Sequence, residues 1–110
     1  MPTAYKVLGQ VSPTANTDTT LYTVPSSTST IVSTISVCNT SLTLGDFIYI
    51  SVRPAGESLA SKHYMFFNEP IAPSSNLSIT IGLTLATTDV ITIKSLNGIS
   101  SFNAYGSEIS

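Results

Sequence analysis

The stretch Thr30-Ile31-Val32-Ser33-Thr34-Ile35-Ser36-Val37-Cys38 decides the fold class. Its side chains alternate in type with a period of two, which is the geometry of a β-strand, where successive residues point to opposite faces. Ile31, Ser33, Ile35 and Val37 share one face, and Val32, Thr34, Ser36 and Cys38 the other. Three large aliphatics make the first face the expected core side. β-Branched residues fit a pleated, half-buried surface, so the composition of the stretch agrees with its period. Asn39-Thr40-Ser41 then breaks the alternation.

The same period recurs in both directions, and a 3.6-residue period is nowhere sustained. Upstream, Tyr5 to Val11 reads as a first strand with Tyr5, Val7 and Gly9 on one face, followed by a loop from Pro13 through Thr19. Leu21 to Val24 is a short second strand stopped by Pro25, and Ser26 to Ser29 is a turn. Downstream, Phe47 to Arg53 sets Ile48, Ile50 and Val52 against Phe47, Tyr49, Ser51 and Arg53. Bulk on both faces marks a central strand, or one whose outer face meets another chain. Pro54-Ala55-Gly56-Glu57 is turn chemistry. Lys62 to Phe67 is an expected strand, with His63 within it, closed by Asn68-Glu69-Pro70. Leu77, Ile79 and Ile81 alternate with Ser78 and Thr80, Gly82 to Thr87 is a connection, and Val90 to Ser95 is a further strand. Asn97-Gly98 is a hairpin signal joining that strand to a last one, Ile99 to Tyr105. About eight short strands with turns every 8–12 residues predict an all-β chain. The expected architecture is an antiparallel β-sandwich or small jelly roll, with a closed barrel as the alternative.

Length and composition bound the rest. At 110 residues and 11.6 kDa, residues 1–110 form one domain. The scaling of surface with mass gives roughly 5,800 Å² folded against roughly 16,800 Å² extended, enough burial for one modest core. Charged residues are 9% of the chain and the net charge is −2. That argues against a nucleic-acid partner, whose affinity rests on clustered Lys and Arg. A hydrophobic content of 42% and a mean hydropathy of +0.31 argue against disorder. The apolar runs are too short to span a membrane as helices. Met1-Pro2-Thr3 begins no basic-then-apolar leader, and a lone Cys38 permits no internal disulfide, so synthesis in a reducing cytoplasm is expected.

No catalytic constellation is legible. His63, the one histidine, could act as a base toward Ser61, but no nucleophile-elbow pattern surrounds it, and a structural strand histidine is the plainer reading. Asp18, Asp46, Glu57, Glu69, Asp89 and Glu108 lie in or beside expected turns and strand ends, where a carboxylate caps backbone donors. Metal-ligand spacing, phosphate-cradling glycines and cofactor motifs are all missing from the sequence. What the chain does carry is a surface dressed in hydroxyls, with eighteen serines and sixteen threonines, and an aromatic run around Tyr64. Hydroxyls cost less to desolvate than Lys or Glu, which suits faces that become covered. Aromatic residues and Arg dominate protein contacts, so Tyr22, Tyr49, Arg53, Tyr64 and Phe66 are the expected anchors of an interface, including one with further copies of the chain. Tyr105 beside Asn103 is the expected platform if the chain instead binds a glycan or receptor.

A resemblance runs along essentially the whole chain. Its carriers are Ala4-Tyr5-Lys6-Val7-Leu8-Gly9-Gln10, Leu21-Tyr22-Thr23-Val24-Pro25, Ser33-Thr34-Ile35-Ser36-Val37-Cys38-Asn39, Val52-Arg53-Pro54, Lys62-His63-Tyr64, Thr88-Asp89-Val90 and the segment from Ser101 to Ser110. In these the chain resembles small structural proteins of tailed bacteriophages, particularly phages of cyanobacteria. The resemblance implies a virion component made in the host cytoplasm, without enzymatic activity or cofactor, whose partners are other virion proteins. Decoration or cementing of the major capsid protein lattice is the leading expectation. A neck, tail, baseplate or fibre position, with receptor or glycan binding, is the alternative. After Cys38-Asn39 the resembling proteins carry more charge than Thr40-Ser41-Leu42-Thr43-Leu44 does, so no contact residue is carried over.

Overall fold

In a computed structural model, described for residues 3–80 and 82–110, the alternating stretches become strands β1 (Thr3–Val11), β2 (Thr19–Thr23), β3 (Ser29–Asn39), β4 (Asp46–Arg53), β5 (Tyr64–Ile71), β6 (Asn76–Ile79), β7 (Leu83–Leu85), β8 (Val90–Ser95) and β9 (Ser100–Ile109). Met1, Pro2 and Ile81 lie outside the described residues. One sheet runs β1-β9-β3-β6, with β7 also paired to β3, and the second runs β2-β8-β4-β5. All pairs are antiparallel. The pairing is nested: β1 with β9, β2 with β8, β3 with β6 and β7, β4 with β5. A nested antiparallel hairpin rolled into two facing sheets is a jelly roll. As expected from its bulk on both faces, β4 is central, between β8 and β5.

The core fills the space between the sheets. Val32, Ile35, Val37, Phe102 and Ala104 come from the first sheet, and Ile48, Ile50, Ile91 and Ile93 from the second, each at most 1% exposed. The accessible surface is 5577 Å², close to the value expected from mass. The charged residues sit at the margins of this core, with Asp46 the exception. Its buried carboxylate accepts from the amides of Phe47 (2.8 Å) and Asn97 (2.9 Å) and from the hydroxyls of Ser100 (2.6 Å) and Ser95. One side chain thus ties the start of β4 to the end of β8 and the start of β9, across both sheets.

Bulges explain where the sequence reading and the structure part. In β3, Val32 pairs Gly106 and Thr34 pairs Tyr105, so Ser33 is an extra residue. A bulge reverses the faces that follow it. The core side of β3 is therefore Thr30 and Val32 before the bulge, then Ile35, Val37 and Asn39 after it, and Ile31 lies outside at 40% exposure. Leu8 is the extra residue in β1, which turns Gly9 away from the face of Tyr5 and Val7. The Ser33 bulge also falls where the partner of β3 is broken, β7 pairing before it and β6 after it. The expected connection Gly82 to Thr87 accordingly contains a strand.

Three further expectations change. Asn97-Gly98 joins β8 to β9 in the opposite sheet and makes no hairpin, because the Asp46 carboxylate holds the turn. The aromatic strand begins at Tyr64, after a 3-10 turn at Ser61–His63, so His63 is a buried turn residue. β5 continues through Asn68-Glu69-Pro70 to Ile71. It is an edge strand, where a proline without an N–H is tolerated.

Candidate interaction faces

The outer face of the β2-β8-β4-β5 sheet carries an aromatic cluster built by two irregularities in β5. Ile50 pairs Phe66 and Ser51 pairs Tyr64, which makes Met65 an extra residue; Ile48 pairs Glu69, so a second extra residue falls at Phe67-Asn68. Asn68 takes a left-handed backbone with φ of 56°, a conformation Asn tolerates better than most residues. In a regular strand Tyr64 and Phe66 would share a face. The bulge at Met65 turns Phe66 onto the core and leaves Tyr64 outside, and the next step brings Phe67 out beside it. The rings of Tyr49, Tyr64 and Phe67 then meet edge to face, with centroids 6.1 Å apart for Tyr49–Tyr64 and 5.0 Å for each ring with Phe67. The Tyr49 hydroxyl donates to Asn68 Oδ1 at 3.1 Å, and Lys94 Nζ stands 4.3 Å from the Tyr49 ring centre. Burial, then the negative field of Asp18, raises the Tyr64 hydroxyl above its ordinary value.

The five residues expected as interface anchors are thereby dispersed. Tyr49 and Tyr64 belong to this cluster. Tyr22 is corrected to a core residue at 7% exposure: its hydroxyl donates to Glu108 Oε2 at 2.5 Å and bonds Thr30 Oγ1 at 2.8 Å, inside the chain. Phe66 packs against the core. Arg53 secures a loop, its Nε donating to Thr92 Oγ1 at 3.0 Å and its Nη1 to the Glu57 carbonyl at 2.9 Å. Phe67, two-thirds exposed, is the member of the aromatic run that the sequence reading missed. Only the bulges bring it outward, and no residue pattern announces them.

The outer face of the other sheet is apolar in a different way. Tyr5, Ser107 and Ile31 form one cross-strand row, and Val7, Tyr105 and Thr34 the next. Tyr5 is 85% exposed and Val7 48%, with Ile31 and Tyr105 near 40%. Farther along β9, the row of Gln10, Asn103, Ser36 and Ser78 is wholly polar and uncharged. Tyr105 and Asn103, the pair named for a glycan, lie on this one face.

A third feature is a cleft of about 460 Å³ where β5 and β7 leave the sandwich edge open, lined by Val52, Met65, Leu83, Leu85, Lys62 and His63. His63 Nδ1 accepts the Ala60 amide at 3.0 Å, so the ring proton is on Nε2, which faces Glu57 Oε1 at 3.2 Å. That contact, followed by the Lys62 charge, holds the Glu57 carboxyl below its ordinary value. The ring's hydrogen bonds thus shape the 57–63 loop and do not reach Ser61. Among the described residues no three His, Cys, Asp or Glu side chains gather as a metal site, and no helix is long and apolar enough to cross a membrane.

No protein-family model matches the chain, and no curated protein matches it.

Proposed function

We propose that the chain is a structural component of a tailed-phage virion, made in the host cytoplasm, and that it decorates and cements the capsid without catalysing a reaction. The observation that carries this reading is the outer face of the β1-β9-β3 sheet, where Tyr5, Val7, Ile31 and Tyr105 stand exposed among uncharged hydroxyl and amide side chains. Exposed apolar patches of this kind mark interaction surfaces. A hydroxyl-rich surround gives up water cheaply when covered. The jelly roll is an architecture used by viral capsid domains, which agrees by analogy with the sequence resemblance.

The partner is the major capsid protein at junctions of its lattice, with further copies of the chain alongside. Many equivalent weak contacts then act together through avidity, adding cohesion to the shell. A neck, tail, baseplate or fibre position would use the same face at far lower copy number. The test is to produce particles with the Tyr5→Ser, Tyr105→Ser chain and count its copies. The reading expects the doubly substituted protein to fold normally and to be lost from particles. Incorporation at the natural level would overturn it.

A further inference from the structure

Two bulges and a left-handed Asn68 in β5 bring Tyr64 and Phe67 beside Tyr49 at the surface of the second sheet, each irregularity costing free energy that packing elsewhere must offset. Bulges concentrate next to functional sites, where they re-aim side chains. The product here is a ring, Phe67, left two-thirds exposed in a hollow of about 360 Å³ lined by Ser61, Tyr64 and Phe67. Its chemistry selects the ligand. A polyanion finds few free cations nearby: Lys94 stands over the Tyr49 ring and Lys62, next to Ser61, faces Glu57 Oε1 at 3.6 Å, while Asp18 adds a negative field. A protein partner would need roughly 800 Å² from each side, far more than this hollow presents. The polar groups at hand are uncharged: the Ser61 hydroxyl and the Tyr64 phenol in the lining of the hollow, and the Asn68 amide next to Phe67 in the chain. The Tyr49 hydroxyl engages Asn68 Oδ1, a bond that leaves both donors of the Asn68 amide NH2 unused.

An apolar ring flanked by neutral donors and acceptors matches a sugar, which offers a C–H face bordered by hydroxyls. We propose that Tyr64, Phe67 and Asn68 form a binding site for a neutral carbohydrate, with Phe67 as the stacking platform and Asn68 as the reader of ring hydroxyls. The site lies on the sheet opposite the proposed assembly face and is separate from the Tyr105–Asn103 pair. It requires only the isolated protein, so its failure leaves the virion reading untouched.

The experiment is titration of the purified chain with neutral glucose, galactose and N-acetylglucosamine trisaccharides, followed by amide chemical shifts. Binding of at least one, with Kd on the order of 1 mM or tighter, is expected, with shifts centred on residues 61–68. Phe67→Ala, at an exposed position, should weaken it about tenfold, and Tyr105→Ala should leave it unchanged. Asn68→Gly, which keeps the left-handed backbone and removes the amide together with its exposed bond from Tyr49, should weaken it while the chain stays folded, as its amide spectrum would show. No binding by any of the three sugars, or binding insensitive to both substitutions at 67 and 68, would overturn the proposal. So would a concentration-dependent dimer abolished by Phe67→Ala in sedimentation, which would make a second copy of the chain the occupant.

Discussion

Asp46 shows how one residue sets both a connection and a pH dependence. Burial by itself would raise its carboxyl; the hydrogen bonds from Ser100, Ser95, Asn97 and Phe47 outweigh burial and hold it below the ordinary 3.8. The folded carboxyl therefore takes its proton at lower pH than the unfolded one. Its contribution to stability is present above the unfolded value and is lost as pH falls through the folded one. Asp46→Ala should cost about 3 kcal/mol at neutral pH, since it strands several buried donors at once. It should also flatten the acid limb of stability below about pH 4, measured by urea unfolding across pH. Tyr22 works in the opposite direction. Burial, then its bond to Glu108, pushes its hydroxyl up from 10.0 to about 12. Its contribution is complete below the unfolded value and is lost as pH rises through the folded one, between about pH 10 and 12. Tyr22→Phe should cost about 1 kcal/mol at neutral pH and remove that alkaline loss.

At the level of the strands, close backbone approach decides what is tolerated. A Cβ on Gly106 would lie 2.0 Å from the Ile31 carbonyl oxygen, next to the β3 bulge, and one on Gly9 would lie 2.1 Å from that of Leu21. Gly106→Ala is expected to cost more than about 3 kcal/mol, because the obstacle is backbone that cannot rotate away. Gly45→Ala, whose nearest contact would be an ordinary 3.5 Å, should fall within about 1 kcal/mol of the natural chain. Thermal unfolding of both variants checks the contrast. Apart from β7, which lies in an expected connection, strand positions were legible in the sequence because stretches of period-two alternation survive in them. Bulges were not: Ser33, Leu8 and Met65 look like any other strand residue, yet each reverses the faces beyond it. Reading Ile31 as core and missing Phe67 at the surface are two forms of that one effect. The turn at Asn97-Gly98 was misread for a different reason, since its partner Asp46 is fifty-one positions away along the chain.

For the whole molecule, the nested pairing of strands fixes which surfaces remain open. Each sheet gives one face to the core and keeps one outside, and the exposed apolar side chains of the strands divide between the two outer faces, while Leu42 and Leu44 stand exposed in the loop between β3 and β4. Tyr5, Val7, Ile31 and Tyr105 occupy the face proposed for assembly, whereas Tyr49, Tyr64 and Phe67 occupy the face proposed for sugar. The sequence indicated that aromatics would serve an interface, but their distribution between faces depends on cross-strand register, which composition does not encode. Substitutions on one face should leave the function of the other intact. Accordingly, Phe67→Ala particles should carry the natural number of copies of the chain, counted by mass spectrometry. The most direct test of the central claim is quantitative mass spectrometry of purified particles from the source, comparing this chain with the major shell protein. Decoration predicts copies approaching the number of shell subunits; absence of the chain from particles would contradict the structural reading.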